Sequence, residues 1–175
     1  VLPVALELVG KGRELADERG CALVAVLGEH SDADDANARA LAAAGADEIL
    51  RTCDDRLAHT DVECYAAWLC ALALERKPEV ILDGATNFGR ELAPGVAVRL
   101  QTGLTADCTV LQMDAEKGLL QQTRPAFGGN LMATILCPDH RPQLGTVRPG
   151  VFKKSEPSAP HAQIIREDIR VPASD

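Results

Sequence analysis

Short apolar runs alternate with helix-like stretches through the first half of the chain. The apolar runs predict strands over residues 21–28, 46–51 and 79–83, of which the near-continuous run 21–28 is typical of a strand covered on both faces. The stretches between them predict helices that end at Gly or Pro, over residues 3–19, 32–44 and from Thr60 or Asp61 to Lys77. Strands that alternate with helices predict a parallel sheet with right-handed crossovers.

The segment 79–103 carries the pattern of a buried strand, a tight turn and a helix. Ligands of open α/β sheets bind at such turns, and either Thr86 or Asn87 is placed to cap the helix, where free N–H groups attract an anion. The alternative is an ordinary junction in which both residues serve only as caps. Pro94 either begins a new helix or kinks this one.

The second half changes to short strand-like runs separated by turn clusters. These runs cover residues 104–113, 118–124, 131–137 and 143–148. Their spacing favours antiparallel connections or a mixed extension of the sheet. Residues 153–160 have the composition of an exposed linker, and 162–171 predict one last strand. We therefore expect an α/β domain over 1–152, followed by a linker and final strand over 153–175.

Charge and composition exclude several classes of protein. The net charge of −8 argues against a nucleic-acid surface. No apolar run is long enough for a membrane span and no signal-peptide pattern is present, so we expect a cytoplasmic chain without a membrane partner. The six cysteines form no C-x-x-C pair. We interpret them as small core residues of a reducing compartment, in preference to disulfides or a metal site.

Three clusters of glycine and polar residues are the candidates for chemistry, at 84–90, 122–130 and 146–150. Arg124 and Arg148 offer forked donors for phosphate, carboxylate or a flavin carbonyl. Phe127 is suited to stacking on a planar group, while Gly128 and Gly129 permit close backbone approach. The alternative is that both arginines pair with acids of the same domain and the glycines only turn the chain. No nucleophile–base motif or phosphate-binding loop is present in the sequence.

The chain contains four motifs in this order: GATNFGRELAP, TGLTADC, QTRPAFGGNLMATILCPDHRPQ and TVRPG. With these motifs it resembles the alpha subunit of electron transfer flavoprotein over roughly residues 2–152. The resemblance implies a Rossmann-like three-layer α/β sandwich of the adenine-nucleotide α-hydrolase-like type, with antiparallel additions in the second half. It also implies a strand before Pro3 and a separate FAD-binding domain after this segment. FAD is therefore expected in the full heterodimer, with none bound to this chain alone.

The same resemblance implies an electron carrier and not an enzyme. Its partner would be a beta subunit, and the heterodimer would take electrons from acyl-CoA dehydrogenases of fatty acid oxidation, or from other dehydrogenases, to an acceptor. In bifurcating relatives the heterodimer splits electrons taken from NADH. The second hypothesis is a free-standing adenine-nucleotide-binding domain that uses the turn at 84–90.

The resemblance also assigns roles to residues of the second glycine cluster and its neighbour. Arg124, Phe127 and Asn130 are expected near the flavin of the partner, where a positive charge favours an electron-rich ring. The face that meets the beta subunit is expected to include four residues: Thr123, Gly128, Gly129 and Arg148.

Overall fold

The computed structural model describes residues 1–31, 34–59, 61–114, 116–126, 131–155 and 162–166. The helices are α1 (Pro3–Arg19), α2 (Ala36–Ala43), α3 (Val62–Arg76) and α4 (Asn87–Arg99), with a 3-10 turn at Asp55–Ala58. The strands are β1 (Val24–Glu29), β2 (Glu48–Cys53), β3 (Val80–Gly84), β4 (Leu104–Cys108), β5 (Val110–Asp114), β6 (Leu119–Pro125), β7 (Met132–Ile135), β8 (Gln143–Val147) and β9 (Gln163–Arg166). The alternation predicted for the first half is confirmed.

The strands form two parallel groups and one antiparallel group. One parallel group has the order β1-β2-β9 and the other has the order β3-β8-β4. The third group, β5-β6-β7, is antiparallel. The structure therefore confirms the predicted α/β class, with parallel sheets and an antiparallel addition.

The predicted strand 104–113 is divided by a sharp change of direction. Its first half, β4, runs parallel to β8, and its second half, β5, runs antiparallel to β6. The register of β4 shifts between Thr105 and Cys108, and Asp107 adopts a left-handed backbone with φ +63°. This irregularity turns the chain from one sheet into the next.

The last predicted strand is present over residues 163–166, where β9 pairs in parallel with β2. Residues 167–171 of the predicted strand and residues 156–160 of the predicted linker lie outside the described residues. The division of the chain at residue 152 therefore stays a prediction.

Polar side chains fix the starts of α3 and α4. The Asp61 carboxylate accepts hydrogen bonds from the N–H groups of Glu63 and Cys64 at the start of α3. Thr86 is the N-cap of α4, and its hydroxyl accepts the N–H of Gly89 at 3.1 Å. Pro94 lies inside α4 and does not begin a new helix.

Helix α4 covers one face of the sheet β3-β8-β4, and helix α1 and the antiparallel strand β6 cover the other. Leu144 of β8 packs against Leu92 and Val96 of α4. Val147, three residues further along the same strand, packs against Leu15 of α1 and Leu120 of β6. Consecutive residues of a strand point to opposite faces, so this central strand is buried from both sides.

The cysteines divide between the core and the surface. Cys64, Cys70 and Cys108 are buried, Cys21 and Cys53 are exposed, and all are free. The interpretation of the cysteines as core residues thus holds for three of the six, since Cys137 is only partly buried. Within the described ranges no group of His, Cys, Asp and Glu is arranged to hold a metal ion. In the same part of the chain, no helix has the length and apolar character that crossing a membrane requires.

Candidate functional site

Three arginines gather where the parallel strands β3, β8 and β4 end. Arg90 lies near the start of α4, Arg148 directly follows β8, and Arg124 lies near the end of β6. Backbone hydrogen bonds connect these ends, since the N–H of Arg148 donates to the Cys108 carbonyl at 3.0 Å. The carboxyl ends of parallel strands are the usual place for ligands in open α/β sheets. We call Arg90, Arg124, Arg148 and the Asp107 carboxylate between them the arginine edge.

Asp107 is the centre of the arginine edge. Its Oδ2 accepts hydrogen bonds from Nη2 and Nε of Arg148, at 2.6 and 3.2 Å, and its Oδ1 accepts from Nη2 of Arg90 at 3.2 Å. Its own N–H donates to the Thr146 hydroxyl at 2.9 Å. The hydrogen bond from Arg148, followed by the charges of Arg148, Arg90 and Arg124, holds the pKa of Asp107 below its usual value.

The three arginines differ in how many of their guanidinium N–H groups already donate hydrogen bonds to described residues of the chain. Arg148 pairs with an acid of its own domain, as one interpretation of the sequence expected, yet its side chain remains 46% exposed. Arg90 also donates to the Ala85 carbonyl and is 55% exposed. Arg124 is half-buried and makes no hydrogen bond to any residue within the described ranges, although its charge acts on Asp107. Among the described residues, the Arg124 guanidinium therefore acts on the site through its charge.

The other residues predicted for this site are only partly described. Thr123 shares a hydrogen bond with Thr134 of β7, with 2.8 Å between the two hydroxyl oxygens, on an exposed part of the sheet. Phe127, Gly128, Gly129 and Asn130 lie outside the described residues. Their proposed contacts therefore stay predictions.

A small cavity opens beside Arg90 and Asp107. Its volume is about 220 Å³. The other residues that line it are Pro94, Leu104, Ala106 and Thr146. The lining of this cavity therefore combines two charged side chains with three apolar residues.

Sequence reasoning missed the parts that Asp107 and Arg90 have in this site. Both residues belong to quoted motifs, but nothing in their spacing shows that residues 17 positions apart share a hydrogen bond. The contact depends on β4 and α4 meeting at the same edge of the sheet. The acid in the motif TGLTADC, just before a strand ends, was the one available signal.

The turn at 84–90 has the geometry of a helix cap. The Thr86 hydroxyl is occupied by the N–H of Gly89, and the N–H of Gly84 donates to Oδ1 of Asp83 at 2.7 Å. The buried Asp83 carboxyl group lies beside the first turn of α4, where its Oδ2 would be 2.9 Å from a Cβ atom at Gly89. This arrangement supports the interpretation of the turn as an ordinary strand–helix junction and does not favour a free-standing nucleotide-binding domain.

Burial raises the pKa of Asp83. Its Oδ2 has no hydrogen-bond partner among the described residues. A raised pKa in the folded state means that stability falls as pH rises from the unfolded value, about 3.9, through the folded value. We expect Asp83→Asn to remove that fall, so that the stability gained by the variant over the wild type grows with pH. Urea unfolding at several pH values between 4 and 8 measures this difference, and a gain independent of pH would contradict it.

The matched control is Asp107→Asn, for which the sign is opposite. The lowered pKa of Asp107 gives the folded state stability that is present above about pH 3.9 and is lost as pH falls through the folded pKa. The variant is therefore expected to be less stable than the wild type near neutral pH. This deficit is expected to shrink in acid.

A second charged cluster lies at the ends of β1 and β2, and its donors are satisfied internally. The buried Arg51 donates from Nε to Oε2 of Glu29 at 2.7 Å and from Nη2 to the Asp34 carbonyl at 2.6 Å. Its Nη1 also pairs with the Asp35 carboxylate. Asn37 donates to the second oxygen of Glu29 at 2.7 Å. These contacts describe a structural ion cluster.

Comparison with known proteins matches nearly the whole chain to one protein family. The electron transfer flavoprotein domain matches residues 1–170. The chain is 49% identical over 175 residues to the electron transfer flavoprotein subunit alpha of Clostridium acetobutylicum, covering 98% of this chain and 52% of that protein. It is 46% identical over 179 residues to the acryloyl-CoA reductase electron transfer subunit beta of Anaerotignum propionicum, covering 90% and 48%.

A third relative is Protein FixB of Rhizobium meliloti, which is 45% identical over 174 residues, covering 98% of this chain and 49% of that protein. The chain spans about half the length of the curated relatives it matches.

Proposed function

Because the chain belongs to the electron transfer flavoprotein domain family, we propose that it is the amino-terminal half of an alpha subunit that pairs with a beta subunit. The heterodimer carries electrons from a dehydrogenase, such as an acyl-CoA dehydrogenase, to an acceptor. The chain supplies docking and electrostatics and has no catalytic residue of its own. The observation that carries this proposal is the match across residues 1–170, together with the charge of the half-buried Arg124 beside Asp107.

The donor set of the arginine edge fits one border of an anionic ring. Arg124 has unused N–H groups among the described residues, and Arg148 remains half exposed beside it. The cavity of about 220 Å³ next to Arg90 is below the roughly 300–1,000 Å³ of typical ligand pockets, so it does not enclose an FAD molecule. FAD, when it is bound in the heterodimer, supplies the redox chemistry.

Within this proposal the residues divide into two roles. Arg124, Phe127 and Asn130 lie near the flavin of the partner, where Arg124 supplies positive charge and Phe127 a planar face. The remaining four contact the beta subunit through backbone and side chain: Thr123, Gly128, Gly129 and Arg148. The exposed position of Arg148 supports this division.

Association with a matching beta subunit tests the proposal directly. We expect the chain and a purified beta subunit to elute together on size exclusion at a mass equal to their sum. Separate elution at concentrations well above 10 μM, roughly the range of weak transient complexes, would contradict the pairing. Bovine serum albumin in place of the beta subunit is the control for nonspecific association.

Removing the charge of Arg124 tests its role near the flavin. A unit charge about 8–16 Å away at an effective dielectric of about 20 contributes on the order of 1–2 kcal/mol, which is tens of millivolts. We expect Arg124→Gln to lower the flavin potential of the reconstituted heterodimer by roughly this amount. Arg99→Gln, at the far end of α4, is the control of equal charge. Equal potentials for the two variants would remove Arg124 from the flavin site.

A further inference from the structure

We infer that the cavity beside Arg90 receives an acidic side chain of the partner subunit, whose carboxylate binds the Arg90 guanidinium group that Asp107 holds in place. This inference rests on the proposed function, because it names the group that the partner brings to the arginine edge. It assigns to Arg90 a contact that the resemblance to the family did not give.

The charges at the arginine edge are unbalanced. The three guanidinium groups of Arg90, Arg124 and Arg148 act on the single carboxylate of Asp107. This leaves an excess of two positive charges, three minus one, in a chain whose net charge is −8. The net charge of the chain therefore repels an approaching acid, and the local excess at this edge attracts it.

The donors needed for a second carboxylate are already oriented. Arg90 uses Nε and Nη2 in its contacts with Ala85 and Asp107, and Arg148 uses Nε and Nη2 in its contact with Asp107. The Nη1 group of each arginine has no hydrogen bond to a residue of the described ranges. Because a guanidinium carries five N–H donors in a fixed plane, binding Asp107 fixes the direction of those that remain.

The shape of the cavity favours a side chain over a nucleotide. About 220 Å³ is below the roughly 300–1,000 Å³ common for small-molecule pockets. The apolar lining residues Pro94, Leu104 and Ala106 suit the methylene groups of a glutamate, while Arg90 suits its carboxylate. An extended nucleotide would leave most of its surface outside.

Zero-length cross-linking of the heterodimer identifies the group that enters the cavity. The variant Arg90→Lys places an amine there, and a carbodiimide joins an amine to a carboxylate with loss of water. We expect an intermolecular amide between position 90 and an Asp or Glu of the beta subunit, located by peptide mass spectrometry. Wild type, which has no amine at position 90, and Arg99→Lys are the controls, and neither is expected to give this link.

Affinity provides the second readout on the same samples. We expect Arg90→Gln to weaken the heterodimer about tenfold and to lessen its dependence on salt, because a partly buried charge pair is lost. Arg99→Gln, which removes an equal charge from the exposed pair with Glu63, is expected to change affinity by less than about threefold.

The outcomes separate this inference from the proposed function. A heterodimer that forms normally, with position 90 linked only to Asp107 of its own chain or equal affinities for Arg90→Gln and Arg99→Gln, overturns the inference alone. Failure of the wild-type chain to associate with the beta subunit overturns the proposed function, and the inference falls with it.

Discussion

Gly89→Ala is expected to destabilise the protein by roughly 3 kcal/mol or more, which is a large part of the 5–15 kcal/mol that holds a typical domain folded. A Cβ atom at position 89 would lie 2.0 Å from the Gly84 carbonyl oxygen and 2.9 Å from Oδ2 of Asp83. The first of these atoms belongs to the backbone at the end of β3. The turn must therefore move as a whole to admit a methyl group, and urea unfolding measures the cost.

Gly95→Ala is the matched control in the same helix. A Cβ atom there would meet Nη1 of Arg99 at 3.2 Å and Cβ of Ala66 at 3.7 Å. The first contact is with the end of a flexible side chain. Alanine is favoured over glycine inside a helix by about 1 kcal/mol, so this variant is expected to match or slightly exceed the wild type in stability. If Gly89→Ala is no more destabilising than Gly95→Ala, the turn is looser than the structure indicates.

The second large effect is expected for Arg51→Met. Arg51 is 1% exposed, and its guanidinium bonds the carboxylates of Glu29 and Asp35. Removing the arginine leaves these acids without their common partner, and breaking a buried ion pair in this way costs about 3–5 kcal/mol. We expect a loss of that size in the free energy of unfolding near pH 7.

The control for Arg51→Met is Arg99→Met, which breaks an exposed pair. The side chains of Arg99 and Glu63 are 35% and 69% exposed, so the expected loss is under about 1 kcal/mol. If the two substitutions cost the same, the cluster around Arg51 contributes no more to stability than a surface pair, and its interpretation as a structural ion cluster is wrong.

The first half of the fold could be predicted from the sequence because its signals are local. The apolar runs gave β1, β2 and β3, and Gly20 ends α1 with a left-handed φ of 69° as its position suggested. Thr86 and Asp61 were both among the candidate caps and both bind backbone N–H groups. Each of these features depends on residues within a few positions of one another.

The second half could not be predicted in the same detail because its pairing is long-range. Strand β8 contains Gln143 and Thr146, polar residues that gave no indication of a central strand. The Gln143 side chain is buried because it binds the N–H of Leu120 at 2.8 Å and the carbonyl of Gly118 at 3.0 Å. Those partners are more than 20 positions away. The polarity of these residues therefore gave no sign that they are buried, because burial is favourable only with partners that the tertiary structure brings to them.

The same distinction between local and long-range signals applies to the candidate site. Arg124 and Arg148 were identified from the residue types that follow strand-like runs, and the structure brings Arg148 to the end of β8 with Arg124 nearby. The alternative that both arginines pair with acids of the domain describes Arg148, while no such pair is formed by Arg124 with the residues that the structure describes. Asp107 escaped notice because its role requires a left-handed backbone at the end of β4.

Amide hydrogen exchange on the heterodimer measures directly which face of the chain the beta subunit covers. We expect slower exchange at residues 123–126 and 147–150, and in the peptide with Phe127, Gly128, Gly129 and Asn130, when the beta subunit is added. Residues 53–58, at the end of β2, are expected to exchange at unchanged rates. Protection at 53–58 without protection around Arg124 and Arg148 would contradict the arginine edge as the docking surface.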